Sequence, residues 1–159
     1  MTTKADYTNE EWDLLCSGPT LAGLGVTLLD PGLVSGLQEG AAISRAIHEA
    51  RGRYADNALV QAVVDDFVAK GDEVRALPEG TTSGSVLEKL VKIDAILDVK
   101  AKIGDAEANE GIGYRNFLYQ VADRAANASG GFFGLGEKVN EEEAYYLKKV
   151  KDILFRDQA

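Results

Sequence analysis

The residues able to do chemistry are few and lie far apart. In 159 residues there is one cysteine, Cys16, and one histidine, His48. A thiol becomes a nucleophile when a base or a nearby positive charge activates it. Cys16 sits among apolar residues on a predicted short helix, where a lone cysteine packs as a small hydrophobe. Its nearest possible base, His48, belongs to a different helix, and the sequence leaves a Cys–His pair open. His48 is followed by Glu49-Ala50-Arg51-Gly52, which lacks the second histidine of an HExxH zinc helix. A carboxylate di-iron bundle needs two Glu-x-x-His pairs, which one histidine cannot supply. No catalytic residue, metal site or cofactor is therefore expected, and His48 reads as a surface or boundary residue.

Carboxylates do come in pairs. Asp94 and Asp98 are four residues apart and so share one face of a helix, and Asp65 and Asp66 are adjacent. With Lys89, Lys92 and Lys102 nearby, the pattern is that of a solvated face; the alternative is a divalent-cation site or an acid–base role for Asp94 and Asp98. Phosphate-binding loops fare worse. Gly131 to Gly136 has the GxxxxG spacing of a P-loop, but Glu137 occupies the place of the phosphate-binding lysine and a helix precedes the loop where a strand should. Gly80 to Ser85 opens a helix and reads as a flexible, capped loop rather than an anion cradle.

The most unusual segment is the loop at 129–139, where Phe132, Phe133 and Leu135 stand among glycines. Loops are ordinarily polar. These side chains either tuck back and plug the end of the fold or form an apolar contact for a partner or a sister subunit. Together with Trp12 they are the candidate partner-binding residues.

The elements that would position these groups are helices. Thr8-Asn9-Glu10-Glu11 is a capping box that starts a helix through Trp12, Leu14 and Leu15 to about Ser17, with a break or kink at Gly18-Pro19. Residues 20–29 carry no charge on any face, which predicts a central, buried helix. Asp30-Pro31-Gly32 is a stop signal. A third helix runs from Gly32 or Leu33 to about Tyr54. Its Gly32, Gly36 and Gly40 predict close approach of a neighbouring helix, because each glycine otherwise costs a helix about 1 kcal/mol. Helices over about 57–70, 84–101, 105–128 and from the Asn140–Glu143 cap onward carry apolar side chains at three- and four-residue spacing. No segment alternates with period two for long enough to read as a strand. The expectation is an all-α, single-domain bundle of six to seven helices, with residues 1–6 as a disordered N-terminal tail.

Composition sets the outer bounds. An apolar fraction of 45% and a charged fraction of 27% describe an ordinary globular chain, able to bury about two-thirds of its unfolded surface without a disulfide or structural metal. Net charge is −9 and the isoelectric point near 4.6. Such a field repels phosphate backbones, so no nucleic-acid partner is expected. The longest nearly uncharged run, Leu14 to Leu37, is interrupted by Pro19, Asp30 and Pro31, so no membrane association is expected either. With no signal-peptide pattern at the start, the expected location is cytoplasmic.

The run Tyr7-Thr8-Asn9-Glu10-Glu11-Trp12, followed by Gly18-Pro19, Gly23 and Asp30-Pro31-Gly32, resembles a family of short bacterial proteins of unknown function. So do Ala95-Ile96-Leu97-Asp98 and the Gly-Gly-Phe-Phe-Gly loop. The resemblance implies a helical fold. Locally, residues 121–154 are similar to one half of the TerB-like tellurite-resistance fold. Ser129-Gly130 stands where TerB loops carry an aspartate–glycine pair, so no metal role passes to this chain. The reading that follows is a non-enzymatic interaction module, with a protein partner or a homo-oligomer, in a bacterial stress or housekeeping setting. The alternative is a small-molecule or divalent-ion-binding protein.

Overall fold

A computed structural model describes residues 2–29, 33–129 and 139–156, apart from the side chains of 33–37 and 129. Among these residues six α-helices follow a 3-10 turn at Lys4–Asp6: α1 Asn9–Thr27, α2 Leu33–Arg53, α3 Ala58–Ala69, α4 Ser83–Ala101, α5 Asp105–Ser129 and α6 Glu141–Leu154. Among the described residues there is no strand. The all-α bundle with a central apolar helix is as the hydrophobic periodicity predicts. None of the described helices is long and apolar enough to cross a membrane.

Local chemistry sets the helix starts. The Thr8 hydroxyl accepts from the Glu11 amide while the Glu11 carboxylate accepts from the Thr8 amide. The same reciprocal arrangement joins Asn140 and Glu143 at α6 and Thr82 and Ser85 at α4, satisfying amides that a helix leaves orphaned. At α4 that cap lies within Gly80 to Ser85, the segment the sequence reads as a capped loop rather than an anion cradle. At the end of α3, Gly71 takes a φ of +97°. Its amide donates to Val68 and that of Asp72 to Phe67, closing the helix in a Schellman motif.

Of the break or kink expected at Gly18-Pro19, the break does not occur: α1 continues through Pro19. Proline has no N–H, so the Leu15 carbonyl loses its partner one turn earlier, a defect worth about 3 kcal/mol in an unassisted helix. Here the Tyr114 hydroxyl of α5 donates to that carbonyl at 2.5 Å. Gly18 makes this possible, since a Cβ there would lie 2.4 Å from the Tyr114 oxygen. A residue on a distant helix therefore repairs a defect that local sequence rules read as a stop.

Close approach through glycine also falls elsewhere than expected. A Cβ on Gly40 would meet nothing within 4 Å. On α1, a Cβ on Gly23 would strike the Ile43 side chain at 2.5 Å, and one on Gly25 the Tyr146 hydroxyl at 1.9 Å. The Tyr146 hydroxyl donates to Ala22 at 2.9 Å. Thus α1 is the helix with the small face, and α2, α5 and α6 press side chains onto it. Gly32 and Gly36 lie outside the described residues or side chains.

The N-terminal residues also depart from the tail expected of them. Thr2 is buried, and its amide donates to both carboxylate oxygens of Glu110 at 3.1 and 3.2 Å. Asn57 ties the same corner, accepting from Val60 at the start of α3 and donating to the Glu110 carbonyl at 3.0 Å.

Candidate functional site

Asp94 and Asp98 do share a face of α4, but that face turns toward arginine. Arg115 of α5 donates to Asp94 through Nε at 2.7 Å and to Asp98 through Nη2 at 2.5 Å. Arg156, just beyond α6, reaches Asp94 at 2.5 Å and Asp98 at 3.7 Å. Both side chains of the central pair are nearly buried, Asp94 4% and Arg115 10% exposed. Two guanidinium groups against two carboxylates make a neutral cluster, beside a 220 Å³ hollow walled by Ala101, Ala108, Ile112, Leu154 and Phe155. A cation arriving here would meet two fixed positive groups. Among the described residues, no three His, Cys, Asp or Glu side chains gather as metal ligands. The cluster is suited to fastening α4, α5 and the end of α6 together.

Cys16 and His48 have separate partners. Cys16 lines a 410 Å³ recess between α1 and α3 with Asp13, Ser17, Thr20, Asp66 and Lys70 among its walls. The Ser17 and Thr20 hydroxyls donate to the Leu14 and Ser17 carbonyls, and Lys70 pairs with Asp66 at 2.7 Å. Burial, reinforced by the Asp66 carboxylate, pushes the Cys16 thiol up to about 12, so it is a poor nucleophile near neutrality. His48 meets Asp72 at 2.6 Å and sets its ring against Phe67.

This recess has a consequence at high pH. A group whose folded pKa is raised contributes stability in full below its ordinary value, and loses it as pH climbs through the folded value. For Cys16 that window opens at 9.0 and runs to about 12. Burial also raises Tyr114 and Tyr146 above their ordinary 10.0. The melting temperature is expected to fall steadily above pH 9, and a thiol reagent at pH 8 to label Cys16 at least about a hundredfold more slowly than a free thiol. Rapid labelling of the folded protein, or a melting temperature flat to pH 11, would contradict this placement.

Of the candidate partner residues, Trp12 is 4% exposed, with its ring beside Tyr7 in the core; folding uses it for packing, and it presents no surface to a partner. Phe132, Phe133 and Leu135 lie outside the described residues.

An apolar surface does occur, at a place sequence reading passes over. Helix α4 buries Val86, Leu90, Ile93 and Leu97. On the opposite side, Val91 is 43% exposed, Ala95 is exposed and Val99 is 59% exposed; Ile103, one turn on, is 67% exposed. Leu87 continues the row backward, half-buried. Residues 87, 91, 95 and 99 are spaced by four and form one ridge on α4, of which 91 to 99 spans about 12 Å; Ile103 lies in the turn just beyond the helix. The outer face of a surface helix ordinarily carries its polar residues. Valine is also a weaker helix former than the alternatives, so local propensity gives no reason for it here. The signal was present in the sequence as a second apolar row on the same helix, hidden by the stronger row at 86, 90, 93 and 97. No protein-family model, curated protein or solved structure matches the chain.

Proposed function

We propose that this chain is a non-enzymatic helical interaction module and that the outer ridge of α4 is its contact face. One observation carries the reading: a row of apolar side chains stands in solvent where a helix normally presents charge. The disposition of the reactive groups supports it, since Cys16 is held as a thiol and His48, Asp94 and Asp98 are each engaged with an oppositely charged or polar neighbour. The burial of Trp12 moves the candidate contact away from the N-terminal helix. The loop at 129–139 remains a second candidate surface of the same module.

The test is the native size of the protein in an extract of the cells that make it. The wild-type chain is expected to elute in a complex larger than its 17.0 kDa monomer, and Val91→Ser/Val99→Ser to elute as the monomer. Both substitutions are on the surface and are expected to change stability by no more than about 0.5 kcal/mol each. Identical elution of the two proteins would overturn the assignment of the face.

A further inference from the structure

The charges around the α4 ridge specify what kind of partner it fits. The chain as a whole carries −9, yet the exposed charges of α4 and its cap are Lys89, Lys92 and Lys102 against Glu88. The other acidic residues of the helix are withdrawn, because Asp94 and Asp98 turn to Arg115. The Lys100 ammonium is likewise withdrawn, donating to the Asp6 carbonyl. By three- and four-residue spacing, Lys92 lies beside Ala95 and Glu88, and Lys102, capping the helix, beside Val99 and Asp98. An acidic protein thus presents one apolar ridge on a helix whose exposed charges are three lysines against one glutamate.

We infer that the ridge receives an acidic amphipathic helix of a partner protein; this rests on the ridge being an interaction face. A row spaced by four fits the grooves between equivalent rows on another helix, crossing at about −50°. Aspartate or glutamate beside the partner's apolar row would meet Lys92 and Lys102, which favours the right partner and penalises a basic one. Other occupants fit less well. A two-fold pairing of copies would set the same lysines against one another. A lipid surface favours a broad apolar face, whereas this ridge is one row wide, and anionic headgroups would be repelled by the remaining surface.

Synthetic peptides decide the matter, titrated against the full chain by fluorescence anisotropy. One is an amphipathic helix with leucines spaced by four and glutamate flanks; the second has lysine flanks; the third is the acidic peptide scrambled. The acidic amphipathic peptide is expected to bind at least about tenfold tighter than either other, and to weaken as salt is raised. Lys92→Glu/Lys102→Glu should invert the preference toward the lysine-flanked peptide, and Val91→Ser/Val99→Ser should abolish binding of both. Equal or tighter binding of the lysine-flanked or scrambled peptide, or a preference unmoved by the charge reversal, overturns the proposal. So does an absence of peptide binding, a ridge-dependent homodimer, or ridge-dependent flotation with vesicles of anionic phospholipid. If the acidic peptide fails while the native complex still depends on Val91 and Val99, the partner chemistry is wrong and the interaction reading stands. If both fail, both fall.

Discussion

Replacing Arg115 by methionine is expected to destabilise the fold by about 3 kcal/mol, at the lower end of the 3–5 kcal/mol typical when a buried ion pair loses one partner. The reason is geometric. Asp94 is 4% exposed and its Oδ1 has Arg115 Nε at 2.7 Å. Without that guanidinium the carboxylate stays in the same dry position facing Arg156, which is half in solvent, where its attraction is screened. Asp98 loses its closest partner at the same time. The cost appears as a lower midpoint in urea and as a fall in melting temperature of roughly 10 °C. Arg115→Met/Asp94→Leu should recover most of it, since an apolar pair of similar volume often matches a buried ion pair. Full stability in the single variant, or no recovery in the double, would contradict the clamp.

The second large effect is expected at Gly25. Valine there would place its Cβ 1.9 Å from the Tyr146 hydroxyl and 2.4 Å from the ring carbon that bears it. Tyr146 is buried and holds α6 to α1 through Ala22, so the ring has nowhere to go without α6 moving. Overpacking of this kind, together with the lost hydrogen bond, costs about 3 kcal/mol. Gly40→Ala supplies the contrast. Its Cβ would meet nothing within 4 Å, so gaining a better helix former is expected to stabilise by about 0.5–1 kcal/mol. Equal effects at the two glycines, measured by urea unfolding, would mean that the α1 face is not where helices approach.

These two sites also mark how far the sequence could be read. Periodicity and caps placed the helices well, because Thr8–Glu11 and Asn140–Glu143 act within one turn and leave a local pattern. Pro19 misled for the opposite reason: what rescues α1 is the hydroxyl of Tyr114, 95 residues further along the chain, which leaves no mark near the proline. Glycine spacing pointed to Gly40 along with Gly32 and Gly36, which lie outside the described residues or side chains; a Cβ on Gly40 would meet nothing, whereas α1 is crowded at Gly18, Gly23 and Gly25. A glycine signals available space but does not name the neighbour that fills it. Asp94 and Asp98 were legible as a pair on one face. That the face meets Arg115 and Arg156, rather than solvent, depends on how three helices pack. Trp12 was ambiguous in sequence because an indole serves a core and an interface equally well. The α4 ridge was the reverse case, written plainly at 87, 91, 95 and 99 but meaningful only once the other row of the helix was seen to face the core.

The contact face is tested most directly inside the producing cell, by a photo-crosslinking amino acid at position 99 with the same residue at Glu10, an exposed position on α1, for comparison. A single discrete adduct at position 99, absent at position 10 and lost when Val91 and Ala95 are changed to serine, is the predicted result. Adducts of equal yield from both positions, or none from position 99, would show that α4 faces only water.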